Sequence, residues 1–307
     1  MHNRNVRIPA TFVPVDADRL ARLAGFLQRA TGVEAGYTED DQTWTGTPGS
    51  AADLDRQWTE PGIPTEKTRR AIDTTYAAAR VGLIAATDHA SSLSRLITDP
   101  ALGGCLSVEA VARSAVETAA RSWWLMEPRL TPRERAARFF ADQLFSAYQA
   151  EDMARRMKWS AGVTGFSPEV TVIKAKCDEL GLTYDANRSA PSVDSQRRPG
   201  STPLVANLLR DTIYSASDQL VYALTSATTH GTHFALMRSF IDSGEKHGAD
   251  PIFDRHLDHR QIEPVCGVVL EAFAATVTRV VWLAKWGWIR VDGFRSPVRN
   301  FLYTMPY

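Results

Sequence analysis

An excess of either charge is missing. Lys and Arg total 35, Asp and Glu also 35, so the formal net charge is zero. A protein that works by coating nucleic-acid phosphates is usually basic, so only a local cationic patch fits such a role. Cysteine is scarce. Cys105, Cys177 and Cys266 lie far apart, form no C-x-x-C pair and are odd in number. A disulfide framework is therefore not expected, which points to a reducing compartment. Long apolar runs are lacking too. Met1-His2-Asn3-Arg4 leads into Val6-Arg7-Ile8-Pro9 without the apolar stretch of a secretory signal. The longest apolar segment, near the C-terminus, is interrupted by Glu271, Arg279 and Lys285. Together these absences predict a cytoplasmic protein without membrane spans. No G-x-S-x-G and no glycine-rich loop after a strand occurs, so hydrolase-elbow, P-loop and Rossmann chemistry lack support.

What is present is ordinary globular composition over 307 residues: 44% hydrophobic and 23% charged. Strand alternation is not found at convincing length, while helical periodicity is widespread. Leu20, Leu23, Phe26 and Leu27 make one stripe over 17–31. Residues 33–63 lose all periodicity and carry Glu34, Glu39, Asp40, Asp41, Asp53, Asp55 and Glu60, which reads as an acidic surface loop. A helix is predicted from Pro64-Thr65-Glu66 to Asp99-Pro100, and a second from Ser107 to Glu127-Pro128. Thr131-Pro132-Arg133-Glu134 is a capping box for a third, running to Ser160-Ala161-Gly162. Further helices are expected over 167–180, 202–212, about 217–244 and 261–289, with loops at 183–201 and 244–260. The prediction is an all-α chain: a long antiparallel bundle of about seven helices. It divides into an N-terminal helix and acidic loop (1–63), the bundle (64–290) and a tail (291–307).

The helix Val111–Met126 holds the strongest site signal. Arg113, Glu117 and Arg121 recur at i, i+4 and i+8 on one face, while the remainder is Ala, Val, Trp, Leu and Met. A helix with no broad polar face is expected to be buried on most sides. A buried Arg-Glu-Arg stripe would anchor a polar or anionic ligand; a solvated salt-bridge ladder is the competing reading. If Glu117 is buried, Arg113→Ala should cost several kcal/mol. His89 shares a face with Gly82, Ala86, Leu93 and Leu96 and should point inward. His230 and His233 stand three apart, preceded by Thr225, Ser226, Thr228 and Thr229, so both rings can address one pocket. No acid stands at a matching position beside them, so no metal site is expected there. The polar segment 244–260 holds His247, His256 and His259 among Asp250, Asp254 and Asp258. It has metal-capable composition but reads as a solvated loop.

Asp88-His89, the block Arg113-x-x-x-Glu117-x-x-x-Arg121-x-Trp-Trp-Leu, Pro128 with Glu134-Arg135, and Leu224 with His230-Gly231 resemble a group of actinobacterial all-helical proteins. These in turn are distantly similar to HEPN-type domains, helical bundles found in RNA-cleaving toxins, abortive-infection proteins and nucleotide-binding modules. The resemblance covers about residues 70–240. The HEPN ribonuclease motif places an Arg five to seven positions before a His. No histidine here has one; Arg255 precedes His259 by only four. Arg113 and His230 meeting across helices would imitate that pairing.

The resulting expectation is a polar pocket. His230, His89 and Glu117 would act as catalytic groups, and Arg113, Arg121 and His233 would bind ligand. No metal and no cofactor is expected. Its ligand would be a small molecule or nucleotide, with no membrane partner and a homodimer through the long helices. Three functions share this pocket: a defence or stress protein acting on RNA or nucleotides, a small-molecule enzyme of specialised metabolism using His acid/base chemistry, or a non-catalytic binding or scaffold module.

Overall fold

The computed structural model describes residues 17–40, 46–98, 105–210, 212, 215–230, 240–247, 250–255, 259–285, 293–294, 296–298 and 300. The chain is mostly helical. Its helices are α1 (Ala17–Asp40), α2 (Ala51–Asp55), α3 (Thr65–Thr98), α4 (Cys105–Leu125), α5 (Pro132–Arg156) and α6 (Ser160–Glu179). They are followed by α7 (Ser201–Arg210), α8 (Ser215–Thr229) and α9 (His259–Ala284).

α4 is the hub. It packs along α3 and α9 and also touches α5, α7 and α8; α1 lies on α3, and α6 lies on α5. Small residues allow this crowding. Ala112, Ala115, Ala119 and Ala120 of α4 are buried, and a Cβ on Gly82 of α3 would stand 2.3 Å from Ser122 Oγ. Ser122 donates to Ala79 O and Thr276 of α9 to Ala119 O, so hydroxyls stitch the helix contacts. The largely apolar character of α4 outside its Arg113, Glu117 and Arg121 stripe is thereby explained: it has neighbours on most sides. α9, whose Ile262–Ala284 stretch is long and apolar enough to span a membrane, is mostly buried in this core.

The end of α4 shows how the fold handles unpaired carbonyls. Trp123 O accepts from Arg279, Trp124 O from Arg138, and Leu125 O from Arg135, each at 2.7–2.9 Å. Three guanidinium groups from α9 and α5 thus cap one helix terminus, where the helix dipole favours positive charge. Arg279 and Arg138 also lie over the rings of Trp123 and Trp124, at 3.4 and 5.0 Å.

Several expectations meet corrections. The segment 33–63 is not a free acidic loop. α1 continues to Asp40, and α2 is N-capped by Ser50, whose Oγ accepts from Asp53 N. Asp55 is buried, because Arg135 and Tyr76 both donate to its Oδ2, at 2.7 and 2.8 Å. The third helix starts on the expected capping box but ends at Arg156. Lys158, with φ 55°, takes the left-handed conformation and breaks the chain direction, so α6 starts at Ser160 and carries Pro168 inside it.

Residues 183–201 form a three-stranded meander instead of a loop: β1 (Tyr184–Asp185), β2 (Ser192–Val193) and β3 (Gln196–Arg197). Asp194 and Ser195 both have positive φ, the twist a two-residue hairpin needs. The Asp194 carboxylate accepts from Thr183 N and Arg133 Nε, which pins the turn to α5. The helix expected over 217–244 ends at Thr229, and the polar segment expected as a loop pairs as an antiparallel hairpin, β4 (Phe240–His247) with β5 (Asp250–Arg255).

Glu151 joins α5 to α6 and the meander. Its carboxylate accepts from Arg155, Ser167 and Arg188 while the side chain is only 4% exposed. The Arg155 hydrogen bond, with those of Arg188 and Ser167, holds its carboxyl below the ordinary Glu range against the effect of burial. A depressed folded pKa contributes stability that is present above the unfolded value and lost as pH falls through the folded one. Glu151→Gln is therefore expected to cost about 1–2 kcal/mol at pH 7. The same variant should also show a shallower loss of stability than the wild type below about pH 4. Urea unfolding at pH 7 and pH 3 checks this; equal acid slopes for the two proteins would refute it.

Candidate functional site

The α4 stripe faces a matching stripe on α8. Arg113 Nε donates to Glu117 Oε1 at 2.7 Å, and Tyr222 OH donates to the same oxygen at 2.9 Å. Arg113 Nη1 stands 3.1 Å from Nε2 of His230, the residue directly after α8. A guanidinium can only donate, so this ring nitrogen accepts and the neutral imidazole carries its proton on Nδ1. Tyr222 and His230 are eight apart, the spacing of one helix face, as are Arg113 and Arg121. His230 N donates to Ser226 O at 3.0 Å, which fixes the ring's attachment point.

Arg121 turns elsewhere. Its Nε donates to Asp142 Oδ2 of α5 at 2.7 Å, and Asp142 is fully buried. Arg198, in the segment between β3 and α7, lies 2.9 Å from the other Asp142 oxygen, an ion pair whose N–H is not aligned for a hydrogen bond. Its guanidinium covers the Phe145 ring at 4.4 Å. Burial lowers the Arg198 pKa; Asp142 opposes that effect, Arg121 adds to it, and Glu117 is close enough to oppose it as well. Two polar clusters thus lie along α4, one of His230, Arg113, Glu117 and Tyr222 and the other of Arg198, Asp142 and Arg121, with Glu117 near enough to act on Arg198 through its charge.

Electrostatics keep the groups in defined states. Burial pushes the Tyr222 hydroxyl up to about 12, reinforced by its hydrogen bond to Glu117, so it remains a donor at neutral pH. Burial opposes the charge on Arg113, but Glu117 outweighs it and raises the guanidinium above its ordinary value.

The network is not sealed from water. The Arg113 and Glu117 side chains are 16% and 29% exposed, Arg121 is 37% exposed, and His230 is exposed. It forms a half-open polar groove between α4 and α8, and the dry interior expected from the apolar flanks is not seen. This revises the expected cost of Arg113→Ala. With Glu117 open to solvent, the loss should be about 1 kcal/mol, not several. A melting temperature lowered by more than about 8 °C, the upper range for such a loss in a smaller domain, would contradict the half-open geometry.

Of the other expected site residues, His89 is half-buried on α3 and makes no hydrogen bond among the described residues. His233 lies outside the described residues, as does His256. Among the described residues no group of three or more His, Cys, Asp or Glu side chains could hold a metal ion. Sequence reasoning missed Tyr222, Asp142 and Arg198. Tyr222 had a signal, its spacing of eight from His230. Asp142 and Arg198 had none, since their pairing joins positions 56 residues apart through the meander. Comparison with protein-family models, with curated proteins and with solved structures finds no match.

Proposed function

We propose that this groove binds and cleaves the phosphodiester backbone of single-stranded RNA, with Arg113 holding the phosphate and His230 moving the proton. The observation that carries this reading is the Arg113 Nη1–His230 Nε2 contact of 3.1 Å at an open edge. A phosphate seated on Arg113 would take that N–H for itself and free the Nε2 lone pair. His230 then accepts the proton of the ribose 2′-hydroxyl. The 2′-oxygen attacks phosphorus, the bond to the 5′-oxygen breaks, and the imidazolium returns the proton to that leaving oxygen. The products are a 2′,3′-cyclic phosphate and a 5′-hydroxyl end.

Glu117 fixes the Arg113 fork from behind and Tyr222 fixes Glu117, so the arginine is oriented before substrate arrives. Arg121 and Arg198 extend positive charge along the groove for neighbouring phosphates, although their shared Asp142 offsets part of it. The local cationic groove answers the zero net charge: affinity for the backbone would be confined to this strip. On this reading the Arg–His pair is assembled from two segments, Arg113 on α4 and His230 directly after α8.

The test is incubation of the purified chain with end-labelled single-stranded RNA in chelator-containing buffer. Cleavage to cyclic-phosphate ends, lost in His230→Ala, is the expected result. RNA left intact by the wild type, or cut equally by the variant, overturns the proposal.

A further inference from the structure

On a different face, α3 and α6 rise on either side of α5 and flank a half-open cavity of about 310 Å³. Phe139 and Phe140 of α5 line it, as an edge-to-face pair with ring centroids 5.1 Å apart. The walls are basic. Lys67 and Arg70 stand on α3, and Lys176 on α6. The one carboxylate in the lining, Glu179, is taken by Lys67 at 3.1 Å, which links the two walls. Arg70 and Lys176 have no ion pair or side-chain hydrogen bond among the described residues. Two cations from opposite walls therefore stand over an aromatic lining with no counter-charge of their own.

We infer that this cavity is a binding site for a flat aromatic anion, its ring against Phe139 and Phe140 and its carboxylate or phosphate between Arg70 and Lys176. The volume lies at the small end of ligand pockets, which suits one or two fused rings with a single head group. Lys176 also complements the C-terminal end of α6, but that role asks nothing of Arg70, which sits in the second turn of α3, far from the C-terminal end of its own helix. The inference is independent of the α4–α8 groove.

Calorimetric titration of the full chain with 1-naphthoate, 1-naphthyl phosphate and neutral 1-naphthol tests it. Saturable one-site binding of at least one anion is expected, and the stronger of the two identifies the head group. The paired change Arg70→Glu with Lys176→Glu should weaken that binding about tenfold or more, the loss of one or two charge-assisted contacts. Thr74→Trp, at an exposed lining position on α3, should block it sterically while leaving the circular dichroism spectrum unchanged. No saturable binding of either anion at millimolar concentration, equal binding of 1-naphthol, or undiminished binding in both variants overturns the inference.

Discussion

Arg135→Ala is expected to destabilise the fold by about 3–5 kcal/mol, the range for removing one partner of a buried ion pair. Arg135 is the largest fully buried side chain described and is 1% exposed. Its Nε holds Asp55, its Nη1 holds the Leu125 carbonyl, and its guanidinium lies 5.6 Å from the Tyr76 ring centroid. Alanine leaves three consequences. Among the described residues Asp55 keeps only the Tyr76 hydroxyl, a neutral donor that burial holds firmly in its protonated form. The Leu125 carbonyl loses its cap at the end of the hub helix. A cavity of guanidinium size opens beside Tyr76. Urea unfolding reads the sum, and a loss below about 1 kcal/mol would show that water reaches Asp55. The double change Arg135→Met with Asp55→Leu separates charge from packing. It removes both ions, so it should recover most of the loss if desolvated charge is the main cost. The single Arg135→Ala variant should also loosen 46–63, which proteolysis would detect as new cleavage there. Other ties of that segment, among them Thr68 Oγ1 to Trp58 O, Thr47 N to Ala284 O, and the partly exposed pairs Arg56–Asp73 and Arg133–Glu60, do not replace a buried ionic anchor.

Asp55 also marks where sequence reading stops. Nothing within 46–63 distinguishes it from Asp53, two residues away and partly exposed; only the arginine 80 positions later makes it a core residue. The segment has no periodicity because short turns, a five-residue helix and a few side-chain to backbone bonds shape it, and these leave no repeating pattern. By contrast the capping box at Thr131 was legible to the residue, since its four positions are local and its physics is complete within one turn. The bounds of α3 and the burial of α4 were legible for similar reasons: proline and acid mark ends, and missing polar faces mark neighbours. The meander was not, because strands of two residues are too short to alternate. Within the groove, Arg113, Glu117 and His230 could be picked out as stripes on two helices. That Arg121 would leave the stripe for Asp142 could not, because spacing on one helix says which residues share a face and not which neighbour offers the better partner.

His230→Ala should lower RNA cleavage by about 10²–10⁴-fold, the usual contribution of a positioned acid/base group. The division between binding and chemistry carries more information than the size. The ring is assigned the proton and not the phosphate, so the loss should fall on kcat, with KM nearly unchanged. Arg113→Ala removes the phosphate contact and should raise KM as well as lower kcat. Arg113→Lys keeps charge but loses the planar fork that reaches both Glu117 and His230, so it should recover KM better than kcat. Glu117→Gln tests orientation alone. It retains an acceptor for Arg113 and Tyr222 and removes the charge, so a moderate fall in kcat with intact folding is expected. If the groove were only a structural ladder, these four variants would differ in stability by about 1 kcal/mol or less and would share one kinetic phenotype. Four distinct patterns, ordered by what each side chain touches, require that substrate sits between Arg113 and His230.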